Sequence, residues 1–462
     1  MKLKILKKIL ILIIRNFLRF SPAIYLFAFY ASHFLTKFES KRRNKNQKNQ
    51  NKFFALSHWR FSSDIKSLNK YANMDFYCLK SKFQIMINAL WLNYFMKKYK
   101  KNFQDEFFNK NNKKMQLARK ELQIFLGKFI KYLFDINNFK AAISCSFYYV
   151  ENQDWENAFY KKKIPFYIIF RENMLDDEVV SLEINRLRNL RKKNNEKYSF
   201  LGNKVFVSNK IIFKVLTQSG CVQNNKIDLI GIPRLDSFFN SRKNKIKTDN
   251  QVLLLSPILT MGRSNLDKFT ENNSRKVFTL DFMNNKNIIF RNYFKSIHLY
   301  LTEYAIKNPK IKIIFKTKFG GIPKRIIYNI IKKKLNVDIR KIKNLKVIGK
   351  SPTLNLIKNS DVVIGCSSTG LIEAKILDKH VICPIIEEAK KKNNKKFIYF
   401  KKYFHLFHII YSKKELNNLL DKIFQKKINK KNSNLNNFFK NYLGIYDGSS
   451  SKTMIKKINN EI

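Results

Sequence analysis

The sequence predicts an α/β protein built from two Rossmann-like, doubly wound parallel-sheet domains in succession, preceded by a basic apolar helix. Three observations predict it. Short β-branched or aromatic runs alternate with amphipathic stretches over most of residues 53–425, the order that produces parallel sheets joined by crossover helices. The stretch from Ser360 to Ala374 reads as a buried strand, a small-residue turn (Gly365-Cys366-Ser367-Ser368-Thr369-Gly370) and the start of a helix. A polar, lysine-rich passage at 240–251 interrupts the alternation in a 462-residue chain, long enough for two domains at roughly 100–200 residues each.

Taken in order, residues 1–38 mix apolar runs with Lys2, Lys4, Lys7, Lys8, Arg15 and Arg19. The uncharged run from Phe20 to Thr36 is only 17 residues long and contains Pro22 and His33, at the bottom of the range for a membrane span. A basic helix lying in the surface of an anionic membrane fits better. A helix of the first domain packed by its aromatic face is the alternative. A signal peptide would also start this way, yet no small-residue cleavage site follows. Residues 39–52 read as a polar basic linker whose charge favours the cytoplasmic side. The first domain, 53–240, carries strands expected at 53–57, 75–79, 141–147, 165–170, 204–208 and 226–230. Helices are expected at 83–98, 114–134, 155–162, 175–191 and 210–219. The second domain, 251–425, carries strands at 252–256, 311–316, 344–348, within 360–364 and at 380–386, with helices at 288–306, 352–358 and a third whose first turn carries Glu373. Residues 426–462 are expected to form a helical extension.

Ligands of such sheets bind off the carboxyl ends of the strands. That gathers the loops after residues 256, 316 and 366 at one edge of the second domain. Small residues at 365–370 let backbone approach a diphosphate, Ser367, Ser368 and Thr369 add hydroxyls, and Glu373 stands one turn into the helix, near a ribose. A capped helix with no ligand is the alternative, since Ser and Thr are ordinary N-caps. Lys316 and Lys318 are placed to neutralise phosphate, though lysine occurs in almost every loop of this chain.

Four short stretches resemble GT-B-fold enzymes of bacterial surface-carbohydrate and capsule biosynthesis. They are Gly231-Ile232-Pro233-Arg234-Leu235-Asp236, Ser367 to Ala374, Phe170-Arg171-Glu172, and Leu443-Gly444-Ile445-Tyr446-Asp447-Gly448. The first two resemble stretches of CDP-glycerol glycerophosphotransferases and UDP-N-acetylglucosamine 2-epimerases. The resemblance implies a nucleotide-activated donor on the second domain, held by Ser367, Ser368, Thr369, Gly370 and Glu373, and a reaction in the interdomain cleft. It implies a glycosyltransferase acting on a glycan or lipid-linked acceptor at the cytoplasmic face of the inner membrane. Transfer needs a base for the acceptor hydroxyl. Glu172, directly after the apolar run 166–170, is the candidate, with His58 second; Glu172 pairing with Arg171 or capping the next helix is the alternative. Arg234 and Asp236 are read as closing the cleft, or as a structural pair at the hinge. The epimerases show a double Gly and a double Glu where this chain has Ser-Thr-Gly and the single Glu373, which favours transfer and leaves a UDP-sugar 2-epimerase-like enzyme of the same pathway as the alternative. A non-catalytic carbohydrate- or membrane-binding protein is the reading from another class.

The net charge of +59 would suit nucleic acid. Only 17 of the 92 basic residues are arginine, however, and lysine is dispersed along the chain with Asn, Ile and Phe, so no specific nucleic-acid site is expected. The five cysteines are scattered without a Cys-x-x-Cys pair, as in a reducing compartment. His405 and His408 lack partners at metal-ligand spacing, so neither metal nor cofactor is expected.

Overall fold

The computed structural model describes residues 2–38, 51–72, 74–99, 103–147, 149–171, 177–193, 199–242, 248–259, 261, 288–318, 321–349, 351–431 and 435–462. Two compact units are present. The first comprises Met1–Asn173, Val180–Asp236 and Lys440–Ile462, the second Met174–Val179 and Ser237–Phe439.

The first unit opens with α1 (Lys2–Phe17) and α2 (Ser21–His33). No single described helix is long and apolar enough to cross a membrane; Ile9–Phe17 and Ser21–His33 together have the composition, but the chain bends by 104° between them. Pro22 sits in the first turn of α2, where a missing N–H costs nothing. There follow β1 (Thr36–Lys37), β2 (Lys52–Ala55), α3 (Ser62–Tyr71), β3 (Asp75–Cys78), α4 (Ser81–Lys98), α5 (Phe103–Phe108), α6 (Lys113–Asn137), β4 (Phe139–Ser144), α7 (Val150–Lys161), β5 (Phe166–Ile169), α8 (Asp177–Lys193), β6 (Lys204–Val207), α9 (Lys210–Gln218) and β7 (Ile227–Leu229). The seven strands lie in the order β1-β3-β2-β4-β5-β6-β7. β1 runs antiparallel to β3, and every other pair is parallel.

Parallel strands are covered on both faces, so they read as unbroken apolar runs. One face buries Phe53, Phe76, Ile143, Tyr167 and Phe206; on the other, Phe54 meets Phe134, Phe139, Trp155 and Phe159. The small face of α2, Ala23, Ile24, Ala28 and Ala31, is buried and packs on α6. Arg15 and Arg19 pair with Glu121 of α6. The N-terminal segment is thus two helices with one face packed on the first unit, while Ile9, Leu10, Leu12, Ile13 and Phe17 remain exposed.

The second unit contains α10 (Asp236–Arg242, which begins at the unit boundary), β8 (Gln251–Leu255), α11 (Arg291–Lys307), β9 (Lys312–Lys316), α12 (Ile322–Leu335), β10 (Leu345–Ile348), α13 (Thr353–Asn359), β11 (Val362–Ile364), α14 (Gly370–Ile376), β12 (His380–Pro384), β13 (His408–Ile410), α15 (Lys413–Phe424) and most of α16 (Leu435–Leu443). Its six strands are all parallel, in the order β10-β9-β8-β11-β12-β13.

The last helix, α17 (Ser450–Asn459), returns to the first unit and packs on α3; residues 440–462 are therefore part of that unit and not an extension beyond the second. Two motifs explain the return. Gly231 has φ +78°, and a Cβ there would lie 2.6 Å from the carbonyl of Ile445; Gly444 has φ +65°, and its Cβ would lie 2.2 Å from the carbonyl of Ser208. Only glycine permits both the conformation and the approach. Asp236 then caps α17, accepting the amides of Ser450 at 3.1 Å and Ser451 at 2.8 Å, a carboxylate at the positive end of a helix.

Gly444→Ala is accordingly expected to cost on the order of 2–3 kcal/mol of the first unit's stability, read as a lowered urea midpoint; an unchanged midpoint would contradict the close approach. Buried Glu156 gives a pH test. Its Oε1 accepts the Leu201 amide at 3.0 Å, and burial pushes its pKa from 4.5 up to about 8. The folded chain holds this proton where the unfolded chain has lost it, so the group's contribution to stability falls as pH rises through that window, by roughly 1.4 kcal/mol per pH unit at most. Glu156→Gln removes this slope, and its Tm should gain on that of the unsubstituted chain as pH rises; parallel Tm curves would count against a protonated Glu156.

Candidate functional site

In the second unit the chain steps outward from β8 through β9 to β10 on one side, and from β11 through β12 to β13 on the other. The strand order reverses between β8 and β11, the switch point at which crossover helices diverge and leave a crevice beyond the strands' carboxyl ends. Ser256 leaves β8 there, its amide bonded to the Lys316 carbonyl at 3.0 Å, and the 365–370 turn leaves β11. Residues 260, 262, 319 and 320 of the loops expected at this edge lie outside the described residues.

The turn is shaped by β8. A Cβ on Gly365 would lie 3.5 Å from Cβ of Leu255, and one on Gly370 would lie 2.5 Å from its Cδ1, so the glycines let the start of α14 close onto the end of the neighbouring strand. The hydroxyls differ in their commitments. Ser367 donates to the Phe397 carbonyl, Ser368 accepts the Gly370 amide at 3.2 Å, and Thr369 is the half-buried N-cap residue without a side-chain cap bond. Glu373 is 8% exposed. Lys316 donates to the carbonyls of Thr317 at 2.8 Å and Gly349 at 2.6 Å, tying the ends of β9 and β10, and burial lowers its pKa. Lys318 is exposed.

Sequence reasoning missed the histidine behind this edge. His298, on α11, is fully buried; its Nδ1 lies 2.6 Å from the Phe294 carbonyl and its Nε2 3.0 Å from the Ser256 hydroxyl. A carbonyl only accepts, so Nδ1 carries the proton and Nε2 takes the hydroxyl's. Burial lowers the pKa to about 4. Ser256 thereby presents an oxygen with its hydrogen already committed, an acceptor at the switch point. A lone Ser and a lone His 42 positions apart carry no spacing signal.

The first unit has its own switch point, between β2 and β4. Ser57 ends the β2 turn with φ +54°, and a closed polar network fixes it. Its hydroxyl donates to Asn152 at 2.6 Å, its amide donates to Gln84 at 3.0 Å, and Asn152 donates to Ser144 at 3.0 Å. His58 follows, half-buried between the rings of Phe38 and Trp59; burial lowers its pKa, and its Nδ1 has no partner among the described residues. Arg234 belongs to this edge: its amide and its guanidinium reach the wholly buried Asp64 at 3.2 and 3.8 Å, while Arg171 reaches the other oxygen at 3.2 Å. The structure thus places Arg234 on Asp64 and gives Asp236 to α17. Glu172 lies outside the described residues.

A cavity of about 590 Å³ in the second unit, lined by Asn250, Asp361, Asp378, Lys379, His380 and Lys430 among others, opens at the opposite edge, where the strands begin. Four of its charges are matched: Asp361 accepts the Gln251 amide at 3.1 Å, Lys379 donates to the Lys358 carbonyl at 2.7 Å, and Lys430 pairs with Asp378 at 2.8 Å. His380 and His408 meet here at 3.4 Å. No group of three or more His, Cys, Asp or Glu suited to a metal ion occurs among the described residues. All five cysteines are buried, and burial pushes the Cys366 thiol up to about 11.

No family model matches the chain, and no curated protein sequence matches it. Solved structures similar to it include a UDP-GlcNAc 2-epimerase from Neisseria meningitidis bound to UDP-GlcNAc, 11% identical over 88% of this chain and 99% of that one, with a TM-score of 0.44. A glycosyltransferase from Rickettsia africae is 11% identical over 90% and 99%, TM-score 0.43. The wall teichoic acid polymerase TagF is 13% identical over 72% and 75%, TM-score 0.42.

The His298 geometry makes a spectroscopic prediction. In ¹⁵N-histidine NMR its imidazole should remain neutral, with the proton on Nδ1, from about pH 7 to pH 5; titration at an ordinary 6.5 would contradict the buried pair. Because the unfolded imidazole protonates at 6.5 and the folded one at about 4, its contribution to stability is present above the unfolded value and is lost as pH falls through that interval.

Proposed function

We propose that the chain is a glycosyltransferase of GT-B type that moves a sugar or related group from a nucleotide-activated donor to a surface glycan or its lipid-linked precursor. The observation that carries this reading is the reversal of strand order between β8 and β11, with the glycine-bracketed hydroxyl turn leaving β11 at that point. The four motifs that resemble this enzyme class agree with it. In this reading the donor diphosphate lies against backbone of residues 365–370 and the Ser368 and Thr369 side chains. Glu373 and the acceptor oxygen of Ser256 read the donor's hydroxyl or amide hydrogens. Ser367 and Lys316, committed to carbonyls, shape the loops.

The chemistry asked of the chain is modest. An acceptor hydroxyl oxygen forms a bond to the donor's reacting carbon, and the bond from that carbon to the diphosphate oxygen breaks. The electron pair leaves on the diphosphate, and the hydroxyl proton passes to a base. Hydrogen-bond donors fixed at the departing diphosphate stabilise its charge. His58 suits the base because burial lowers its pKa, leaving a neutral imidazole at the carboxyl edge of the first unit; Glu172, the first candidate from the sequence, lies outside the described residues. We further place the protein at an anionic membrane surface. The exposed apolar face of α1 and the lysines of its sequence support that placement.

The test is a calorimetric scan of the full chain against UDP-, GDP-, CDP- and dTDP-sugars, CMP-sugars and CDP-glycerol. One donor class should bind selectively, Glu373→Gln should weaken it about 10-fold or more, and His58→Gln should abolish transfer with donor affinity retained. Uniform weak binding that disappears with salt would contradict the reading, and turnover of the donor without acceptor would replace it with epimerisation.

A further inference from the structure

The carboxyl edge of the first unit carries an arrangement of charge that the donor chemistry does not use. Arg60, Arg171 and Arg234 come to this edge from three separate segments, in a chain where arginine is scarce beside lysine. Asp64, wholly buried in the first turn of α3, is shared by two of them: Arg171 at 3.2 Å on one oxygen and Arg234 at 3.8 Å on the other. Arg171 also donates to the Arg60 carbonyl, so its head is fixed at two points. The Arg60 guanidinium stacks over Tyr149, 4.2 Å from the ring centre, and pairs with Glu151. The Arg171 bond to the Arg60 backbone links the Arg171–Asp64 pair to the Arg60–Glu151 pair along this edge.

The balance of the cluster is three guanidiniums against two carboxylates, and it is graded by depth. Asp64 and Arg234 lie inside, whereas the side chains of Arg171 and Arg60 are 28% and 39% exposed. The buried carboxylate holds two arginines, and the part-exposed side chains of Arg171 and Arg60 lie beside the starts of α3 and α7, whose first turns carry Asp64 and Glu151. Planar forks held by packing and backbone bonds match an oxyanion bidentately with little ordering left to do. His58 and half-buried Trp59 stand in the same short turn as Arg60.

We propose that Arg60 and Arg171 form an oxyanion-binding subsite on the first unit, with Asp64 and Arg234 positioning Arg171, and that it takes a phosphate or carboxylate group of the acceptor. Assigning the ligand to the acceptor rests on the transferase reading above; the anion site itself does not. An acidic acceptor held here brings its hydroxyls to the turn that carries His58, so the subsite selects glycans bearing sugar acids or phosphate over neutral ones.

Trp59 supplies the readout, because Trp91 and Trp155 are buried. The full chain is titrated at constant ionic strength with inorganic phosphate, glucose 6-phosphate, glucuronate and glucose, following tryptophan fluorescence. Saturable changes are expected with the anions and not with glucose, and Trp59→Phe should remove them. The stronger of glucose 6-phosphate and glucuronate tells a phosphorylated from a carboxylated acceptor, and a response to inorganic phosphate alone, without either sugar, would overturn the acceptor assignment. Arg171→Gln should raise Kd about 10-fold or more. Arg60→Gln, at the more exposed position, should do the same without disturbing Asp64, which guards against misfolding of the first variant. Lys346→Gln, on the second unit, should have no effect. Equal affinities in all variants, or a response that tracks salt alone, would overturn the subsite and leave diffuse lysine charge as the cause. Selective nucleotide-sugar binding in the same samples with no anion response defeats this proposal alone; anion binding without nucleotide binding defeats the transferase reading and leaves the subsite standing.

Discussion

A parallel strand cannot return to its neighbour through a tight turn. Each pairing requires a crossover segment, and the carboxyl ends of all the mutually parallel strands come to the same edge. Both units obey this constraint, and the placement of their chemistry follows from it. Ser57 and His58 lie beyond β2, Arg171 beyond β5, Ser256 beyond β8 and the 365–370 turn beyond β11. They belong to distant parts of the chain, and each reaches its sheet's carboxyl edge because the strand before it is parallel to the rest. The edge where the strands begin is served by the same geometry but filled differently: the Asp361, Lys379 and Lys430 side chains there are matched among themselves or to backbone.

Most strands and the longer crossover helices were legible because burial on both faces forces unbroken apolar runs such as 252–255 and 141–143, bounded by turn residues. Ends moved by one to a few residues where a strand's final apolar residue belongs to the following turn, as at Leu56 and Phe170. Less legible were elements whose sequence carries no periodic signal. The helix Ser62–Tyr71, with Ser, Asp, Lys and Asn at seven of its ten positions, is not among the helices the sequence predicts. The small face of α2 packs on α6, a contact that the Lys and Arg pattern of the first 20 residues does not signal.

At the site, what a sequence can signal is adjacency, and what it conceals is pairing at a distance. The glycine-bracketed turn was visible because its parts are contiguous. Ser256 and His298, and Asp64 with Arg171 and Arg234, are assembled by strand order alone. The glycine motifs at 231 and 444 illustrate the limit. Both stood out as short stretches shared with carbohydrate enzymes, yet their physical role is mutual backbone approach within the first unit, and Asp236 of the same motif caps the last helix. A motif can therefore mark a fold's closure as firmly as it marks a ligand.

The +59 charge makes the functional claim easy to imitate, since almost any polyanion should adhere to this surface. The measurement that separates a site from adhesion is one of location. Hydrogen exchange of the full chain, with and without a selectively bound nucleotide-sugar, reports which amides are covered. The account predicts slowed exchange concentrated at residues 256–259 and 365–371, the two loops of the second sheet's switch point. Protection spread over lysine-rich loops, or confined to residues 377–380 at the opposite edge, would contradict it.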